Sequence, residues 1–294
     1  MSTDQFAAGR LTADQFEAFR PHLRAVAYRV LGSTADAEDA VQDAWVRAHA
    51  AGAAGVENLG GWLTTIVGRV ALNLLRSRGT RRETAWDGHL PDLLVAPADG
   101  PADPERRAVE QDDLGSALMV VLDTLAPAER VAFVLHDQFA VPFEEIAPLV
   151  DRSLPATRQL ASRARRKVRD AMPVQDDVAR RREVVAAYLS ASQAGDFDGL
   201  VALLDPEVVV RLDYGPGELS RVLRGAQAVA EQARLHFGTA RFSRLALVAG
   251  SPGLVTVLED GTVYSLLAFT VRDGRVAGID ILSDAARLAG VPEA

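Results

Sequence analysis

At 294 residues, 48% hydrophobic and 24% charged, the chain has the size and balance of two or three globular domains that each bury a core. It carries no run of about eighteen apolar residues and no basic-then-apolar leader, so no membrane contact is expected and the expected place of work is the cytoplasm. Zero cysteines and five scattered histidines (His22, His49, His89, His136 and His236) exclude disulfides, thiolate zinc sites and a cysteine nucleophile, and no metal or other cofactor is expected.

The first 85 residues read as helices. Thr12 and Gln15 form a capping box ahead of Phe16, Phe19, Leu23, Val26 and Val30 at helical spacing, and Pro21 is placed to kink or split that helix. Gly32 ends the unit and Ser33 or Thr34 caps a second helix. Its inward positions are Ala37, Val41, Trp45 and Ala48, and Asp36, Asp39 and Asp43 make an acidic stripe outside. Residues 50–57 are small and glycine-rich, a loop. A third helix over about 61–78 buries Leu63, Ile66, Val67, Val70 and Leu74. Its polar stripe of Thr65, Arg69, Asn73 and Arg76, continued by Arg78, Arg81 and Arg82, suits a nucleic-acid backbone or plain solvent equally.

Over about 84–104 the periodicity dissolves into a linker with four prolines, interrupted by the apolar stretch Leu90-Pro91-Asp92-Leu93-Leu94-Val95. Helix returns with Leu114, Leu118, Val121, Leu122 and Leu125, and Pro127 opens another through Val131, Val134 and Leu135. A short helix over about 142–149 then meets a tight turn at Val150-Asp151-Arg152, after which Ser153 caps a long helix to about Ala171. Asp151 stands where such turns often use glycine, and aspartate tolerates the left-handed conformation.

The net charge of −8 would argue against a nucleic-acid binder, but its distribution reverses that. Residues 152–169 hold seven basic residues and no acidic one, whereas 87–113 hold eight acidic and two basic. Two helices joined by a short turn, the second of them basic, make the helix-turn-helix pattern. Arg158, Gln159 and Arg163 fall in the half of the basic helix that enters a major groove, where arginine bridges guanine O6 and N7 and glutamine bridges adenine N6 and N7. Arg165, Arg166, Lys167 and Arg169 suit phosphate contacts, which position without reading sequence.

After Met172-Pro173 the composition changes. Helices fit Val178–Ala194, 197–204 and about 226–237, and a strand fits 208–212. Strands then follow in series with turns at Ser251-Pro252-Gly253, Asp260-Gly261 and Asp273-Gly274. Val263, Leu267, Phe269 and Val271 are expected on one face of a half-buried strand. The order is that of an α+β domain. Asp213, Tyr214 and His236 could supply a general base and hydrogen-bond donors if that domain were an enzyme. A repressor whose tail senses a ligand is a second alternative, but it leaves the acidic and polar helices near the N-terminus without a task.

Here the residues resemble a known family. Ala35-Asp36-Ala37-Glu38-Asp39-Ala40-Val41-Gln42-Asp43-Ala44-Trp45, with Gly61-Trp62-Leu63 leading to Leu72-Asn73-Leu74-Leu75-Arg76-Ser77-Arg78, resembles region 2 of the sigma-70 superfamily. Phe143-Glu144-Glu145-Ile146-Ala147, with Arg158-Gln159-Leu160-Ala161-Ser162-Arg163-Ala164-Arg165, resembles region 4. With no room for other regions, residues 12–171 are similar to the compact extracytoplasmic-function group. The tail is similar to SnoaL-like domains of the cone-shaped fold, through Ala194-Gly195-Asp196-Phe197-Asp198-Gly199-Leu200 and Leu203-Leu204-Asp205-Pro206-Glu207-Val208.

The resemblance implies a multidomain fold: two all-α sigma domains (a region 2 helical bundle and a region 4 helix-turn-helix) plus an α+β SnoaL-like cone or barrel. The boundaries implied are 10–85 for region 2, 86–112 for an acidic linker, 113–173 for region 4 and 178–294 for the regulatory tail. The implied partners are core RNA polymerase, through the β′ clamp helices and the β subunit, and promoter DNA, both double-stranded and melted. Asp36, Asp39, Gln42, Asp43 and Trp45 would contact the polymerase. Asn58, Trp62, Arg69, Asn73 and Arg76, with the loop 50–57, would take the minus-ten element, where each base drawn from the stack costs a few kcal/mol. Ser153, Arg158, Gln159, Arg163, Arg165, Arg166 and Lys167 would take the minus-thirty-five element, and the acidic linker would lie in the RNA exit region. A sigma subgroup with such a tail uses it to tune activity in place of a separate anti-sigma protein. That subgroup's linker motif is only partly matched by His89-Leu90-Pro91-Asp92-Leu93, and its tail motif only partly by Asp213-Tyr214-Gly215-Pro216-Gly217. Leu90, Pro91, Asp92, Asp213 and Tyr214 are thus the implied regulatory contacts, and the cone is a candidate pocket for a small-molecule ligand.

Overall fold

The first helix, α1 (Ala13–Glu17), starts at a reciprocal cap: the Gln15 N–H donates to Thr12 Oγ1 and the Thr12 N–H to Gln15 Oε1. A computed structural model describes it together with the rest of residues 11–79, 89–97, 115–171, 176–215, 220–289 and 291. Pro21 splits the chain here instead of kinking it, because it falls in the first turn of α2 (Arg20–Leu31), where its missing N–H is not needed. Gly32, at φ 73°, closes α2, and the Ser33 hydroxyl accepts from the Asp36 N–H to open α3 (Thr34–Ala51). The loop that follows starts two residues later than the composition suggests, since Ala50 and Ala51 remain helical and Gly52 ends the helix. It leads to α4 (Leu59–Gly79). Helices α2, α3 and α4 pack together through Leu23, Val26, Val30, Ala37, Ala40, Val41, Leu63, Val67 and Val70, all buried. Trp45 is half-buried where an inward position was expected. Ala44 holds the core place, and the indole lies between Phe16 (5.1 Å between rings) and His49 (5.0 Å).

The second helical set comprises α5 (Gly115–Asp123), α6 (Pro127–Phe133), α7 (Phe143–Leu149) and α8 (Leu154–Ala171), with α6 running on into a π-helical turn at Val134–Gln138. Asp151 takes φ 57° in the turn between α7 and α8, the left-handed geometry its short polar side chain tolerates. Thr157, Ala161, Ala164 and Val168 form the buried stripe of α8, so its arginines face outward. Helices α1–α4 and α6–α8 belong to one compact unit.

The other unit contains the tail, residues of the linker and the first part of α5, Gly115–Val120. Its elements are β1 (Val95–Pro97), α9 (Val178–Ala194), α10 (Phe197–Leu203), β2 (Leu204–Asp213), β3 (Arg221–Arg224), α11 (Ala226–Leu235), α12 (Phe237–Ala240), β4 (Ser243–Val248), β5 (Ser251–Val257), β6 (Val263–Arg272), β7 (Arg275–Leu282) and α13 (Ala285–Leu288). They form a seven-stranded sheet in the order β1-β4-β5-β6-β7-β2-β3, antiparallel except for the β2–β7 pair. One face carries α9, α10 and α11 through Val184, Val185, Tyr188, Leu200 and Val229. The opposite face buries Val248, Val255, Val263, Leu266, Ala268 and Leu282 under Leu93, Val95 and Leu288.

Three expectations for this unit are corrected. Ser251-Pro252-Gly253 is strand, not turn: the turn is Ala249-Gly250, both at positive φ. Pro252 is tolerated because pairing with β6 starts only at Gly253, so its missing N–H costs no bond on that side. Val263 lies on the face opposite to Leu267, Phe269 and Val271, because a bulge beside Tyr264 reverses the alternation. Strand β6 is therefore buried on both faces rather than half-buried. The linker is also more than a spacer, since Val95–Pro97 pairs with β4.

Candidate nucleic-acid interface and strap site

The basic helix α8 begins at Ser153, whose hydroxyl accepts from the Ala156 N–H at 3.4 Å. Arg158, Gln159, Arg163, Arg166 and Lys167 are exposed and Arg165 is half-buried. Their surroundings divide them. Glu129, 6% exposed on α6, accepts from Lys167 Nζ at 2.7 Å and lies 3.7 Å from Arg163 Nε. A buried carboxylate needs such a partner, so Lys167 has a structural task that its place in a basic run concealed. Arg165 donates to Asp137 (2.6 Å), and Arg158 pairs with Glu144 (3.4 Å) beside the Phe143 ring. Both Arg158 and Glu144 are exposed, and exposed pairs are worth about 1 kcal/mol or less, so a phosphate or a base edge competes readily for the guanidinium.

On α4, Asn58 accepts from the Gly61 N–H at 3.0 Å and so serves as a cap. Trp62 is half-buried, and Arg69, Asn73 and Arg76 are exposed in one polar stripe. Two of these reach the helix-turn-helix: Arg69 Nη2 donates to Pro148 O (2.7 Å), and Arg76 Nη1 lies 3.5 Å from Asp151 Oδ2. Gly68 permits that approach, since a Cβ there would stand 2.9 Å from Leu135 Cδ1 and 3.2 Å from Leu149 Cδ1. Close by, the Thr64 hydroxyl spends its proton on Gly60 O (2.7 Å) and therefore accepts from His22 Nε2–H (3.0 Å). His22 also meets Phe139 edge to face at 5.5 Å, and burial holds its pKa below the usual histidine value. The side chain of Arg78, and Arg81 and Arg82, lie outside the described residues. On α3, Asp39, Gln42 and Asp43 are exposed and Asp36 half-buried, the acidic face that helical periodicity outlines.

One guanidinium, through three hydrogen bonds, joins the strap, residues 89–97, to the tail. Arg287 Nε donates to Asp92 Oδ1, Nη1 to Asp213 Oδ2 and Nη2 to Leu90 O, each at 2.7 Å. Asp213, fully buried, also accepts from the Leu90 N–H (2.7 Å) and the Gly215 N–H (3.0 Å). Asp284 orients this arginine by accepting from the Ala286 and Arg287 N–H groups at the start of α13. Leu90 and Pro91 are buried, and the Ala249 N–H donates to Leu94 O. Leu90, Asp92 and Asp213, singled out from partial motifs, thus meet in space. Arg287 was missed, because a four-residue helix is too short to show periodicity.

Tyr214 does not join them. It lines a cavity of about 100 Å³ on the helix-covered face of the sheet, with Tyr188, Phe197, Leu200, Gln232 and His236 among its walls. Asp213 points away from that cavity into the strap, so the trio proposed for acid–base chemistry is split across the sheet. His236 Nδ1 lies 3.0 Å from Gln232 O and 3.3 Å from Gln232 Nε2, so Gln232 holds that side of the ring. No helix among the described residues is long and apolar enough to cross a membrane.

Comparison with known proteins agrees with this layout. Residues 15–81 match sigma-70 region 2, and residues 116–168 match sigma-70 region 4. The chain is 38% identical over 298 residues to the ECF RNA polymerase sigma factor SigJ of Mycobacterium tuberculosis, covering 96% of this chain and 95% of that one. A probable ECF RNA polymerase sigma factor, SigI, of the same species is 32% identical, covering 91% of each. The crystal structure of the M. tuberculosis SigJ protein superposes with a TM-score of 0.76 at 37% identity, over 96% of this chain and 99% of that one.

Proposed function

The chain belongs to the extracytoplasmic-function RNA polymerase sigma factors, and from that premise we propose how its surfaces divide the work of initiation and how its tail regulates it. The acidic face of α3, with Asp36, Asp39, Gln42 and Asp43, docks on the β′ clamp helices, with Trp45 buttressing the same helix. The loop before α4 and the stripe from Trp62 through Arg69 and Asn73 to Arg76 take the minus-ten element. Arg158, Gln159 and Arg163 read base edges of the minus-thirty-five element, while Arg165 and Arg166 hold phosphates. What carries the proposal is that three chemically different outer faces, acidic, polar and basic, lie on three separate helices, each backed by its own buried stripe.

The tail acts in cis through the strap. The strap lies in the chain that joins the two helical regions, so holding 89–97 on the tail constrains that chain and releasing the strap relaxes the constraint. The contacts of Arg69 and Arg76 with α7 and its following turn must also part before those arginines meet DNA.

The test is reconstitution with core RNA polymerase. The wild-type chain co-purifies with core and initiates at its promoter; charge reversal of Asp36, Asp39 and Asp43 removes core binding; loosening the strap alters transcript yield without removing core binding. Core binding undiminished by the reversal would overturn the docking assignment.

A further inference from the structure

The cavity and the strap anchor stand back to back on the same strand ends. On β2 and just beyond it, Leu212 and Tyr214 line the cavity, while Asp213 between them faces the strap. On β7, Ile279 and Ile281 line the cavity, while Leu282 joins Leu93, Val95 and Leu288 on the opposite face. Ser283 closes the link. It lines the cavity, its N–H donates to Asp213 O (2.8 Å), and its hydroxyl donates to the carbonyl of Tyr264, another wall residue. The next residue, Asp284, starts the helix that carries Arg287. The two tail carboxylates of the anchor, Asp213 and Asp284, are therefore each one residue from a cavity wall.

The walls also define what fits. Leu200, Val210, Leu254, Leu267 and Ile281 are apolar, and no Lys, Arg, Asp or Glu among the described residues lines the space, so a charged guest would be left unpaired. His236 is a polar wall residue: Gln232 engages its Nδ1, which leaves Nε2 to hydrogen-bond a hydroxyl. We propose that the cavity takes a small neutral molecule with an apolar ring or branched skeleton and one hydroxyl, and that filling it tightens the tail's hold on the strap. Wall atoms facing a void lack dispersion partners, and a guest supplies them. Firmer strand ends then fix Asp213 and the start of α13, and with them Arg287. The inference rests on the strap as the regulatory contact proposed above.

The full chain is titrated with phenol, and with benzene as its counterpart lacking the hydroxyl, while hydrogen exchange is followed in the 89–97 segment. Expected are saturable binding of phenol, weaker binding of benzene by on the order of tenfold, and slowing of strap exchange by about threefold or more. Ala233→Phe, which fills the space, should abolish binding and slow the strap without any probe. His236→Ala should keep binding but lose the preference for the hydroxyl. Saturable binding of neither probe overturns the site, and equal binding of both overturns the role of His236. Binding with unchanged or faster strap exchange overturns the coupling. Exchange does not depend on transcription, so a strap that responds here but leaves transcript yield unaltered would sink the regulatory proposal while the cavity–strap link stands.

Discussion

Replacing Asp213 by alanine should free the strap while leaving the tail folded. The carboxylate is 0% exposed and accepts from the Leu90 N–H, the Gly215 N–H and Arg287 Nη1. Removing one partner of a buried ion pair costs about 3–5 kcal/mol. Arg287 keeps Asp92 and Leu90 O, and its side chain is 23% exposed, so the lower end of that range, about 3 kcal/mol, applies. Leu93 and Val95 still bury apolar surface, at about 1.5–3 kcal/mol each, so the loss falls on local opening of the strap more than on the sheet beneath it. About 3 kcal/mol corresponds to roughly a hundredfold in the opening equilibrium, and exchange in the 89–97 segment should accelerate accordingly. Arg287→Ala should do the same, and the double variant should fall short of the summed effects by about 1–3 kcal/mol, as expected for groups in one network. Unchanged exchange in Asp213→Ala, or strict additivity in the pair, would refute the anchor.

Two arginine-helix variants separate structure from recognition: Lys167→Ala should lower the melting temperature by exposing Glu129's need for a partner, whereas Arg166→Ala should leave melting alone, weaken all promoters alike and reduce the salt slope by about 1. Arg158→Ala should cost about 1–3 kcal/mol at one promoter position in a binding assay on mutated duplexes, and an equal loss on every sequence would exclude base readout. His22, held neutral by burial, takes up its proton more readily in the unfolded chain, so stability should fall as pH drops below the unfolded value near 6.5; thermal melts of His22→Gln should show a shallower acid slope, and an identical slope would count against burial as the cause. Gly253→Ala should destabilise the tail by about 1–3 kcal/mol in urea melts, because its Cβ would sit 2.5 Å from Leu267 O.

Local signals were legible wherever one element carries its own chemistry. The capping box at Thr12, the glycine stop at Gly32, the left-handed Asp151 and the whole of α9 stand where short-range rules place them. What stayed hidden depends on partners distant in sequence. Asp213 and Arg287 are 74 residues apart and Asp92 and Arg287 are 195 apart, so neither pairing leaves a trace in spacing. Glu129 looks like an ordinary first-turn glutamate until α8 folds over it. Likewise, a bulge flips Val263 without altering its neighbours' hydrophobicity, and alternation alone could not reveal it.

The most direct measurement of the central claim is promoter-specific transcription by purified core RNA polymerase with and without this chain. A run-off product that appears only when the full-length protein is added, that is lost on charge reversal of Asp36, Asp39 and Asp43, and that changes in yield on Asp213→Ala is the result the account predicts. Transcription that starts equally well without the chain, or that ignores all four substitutions, would contradict it.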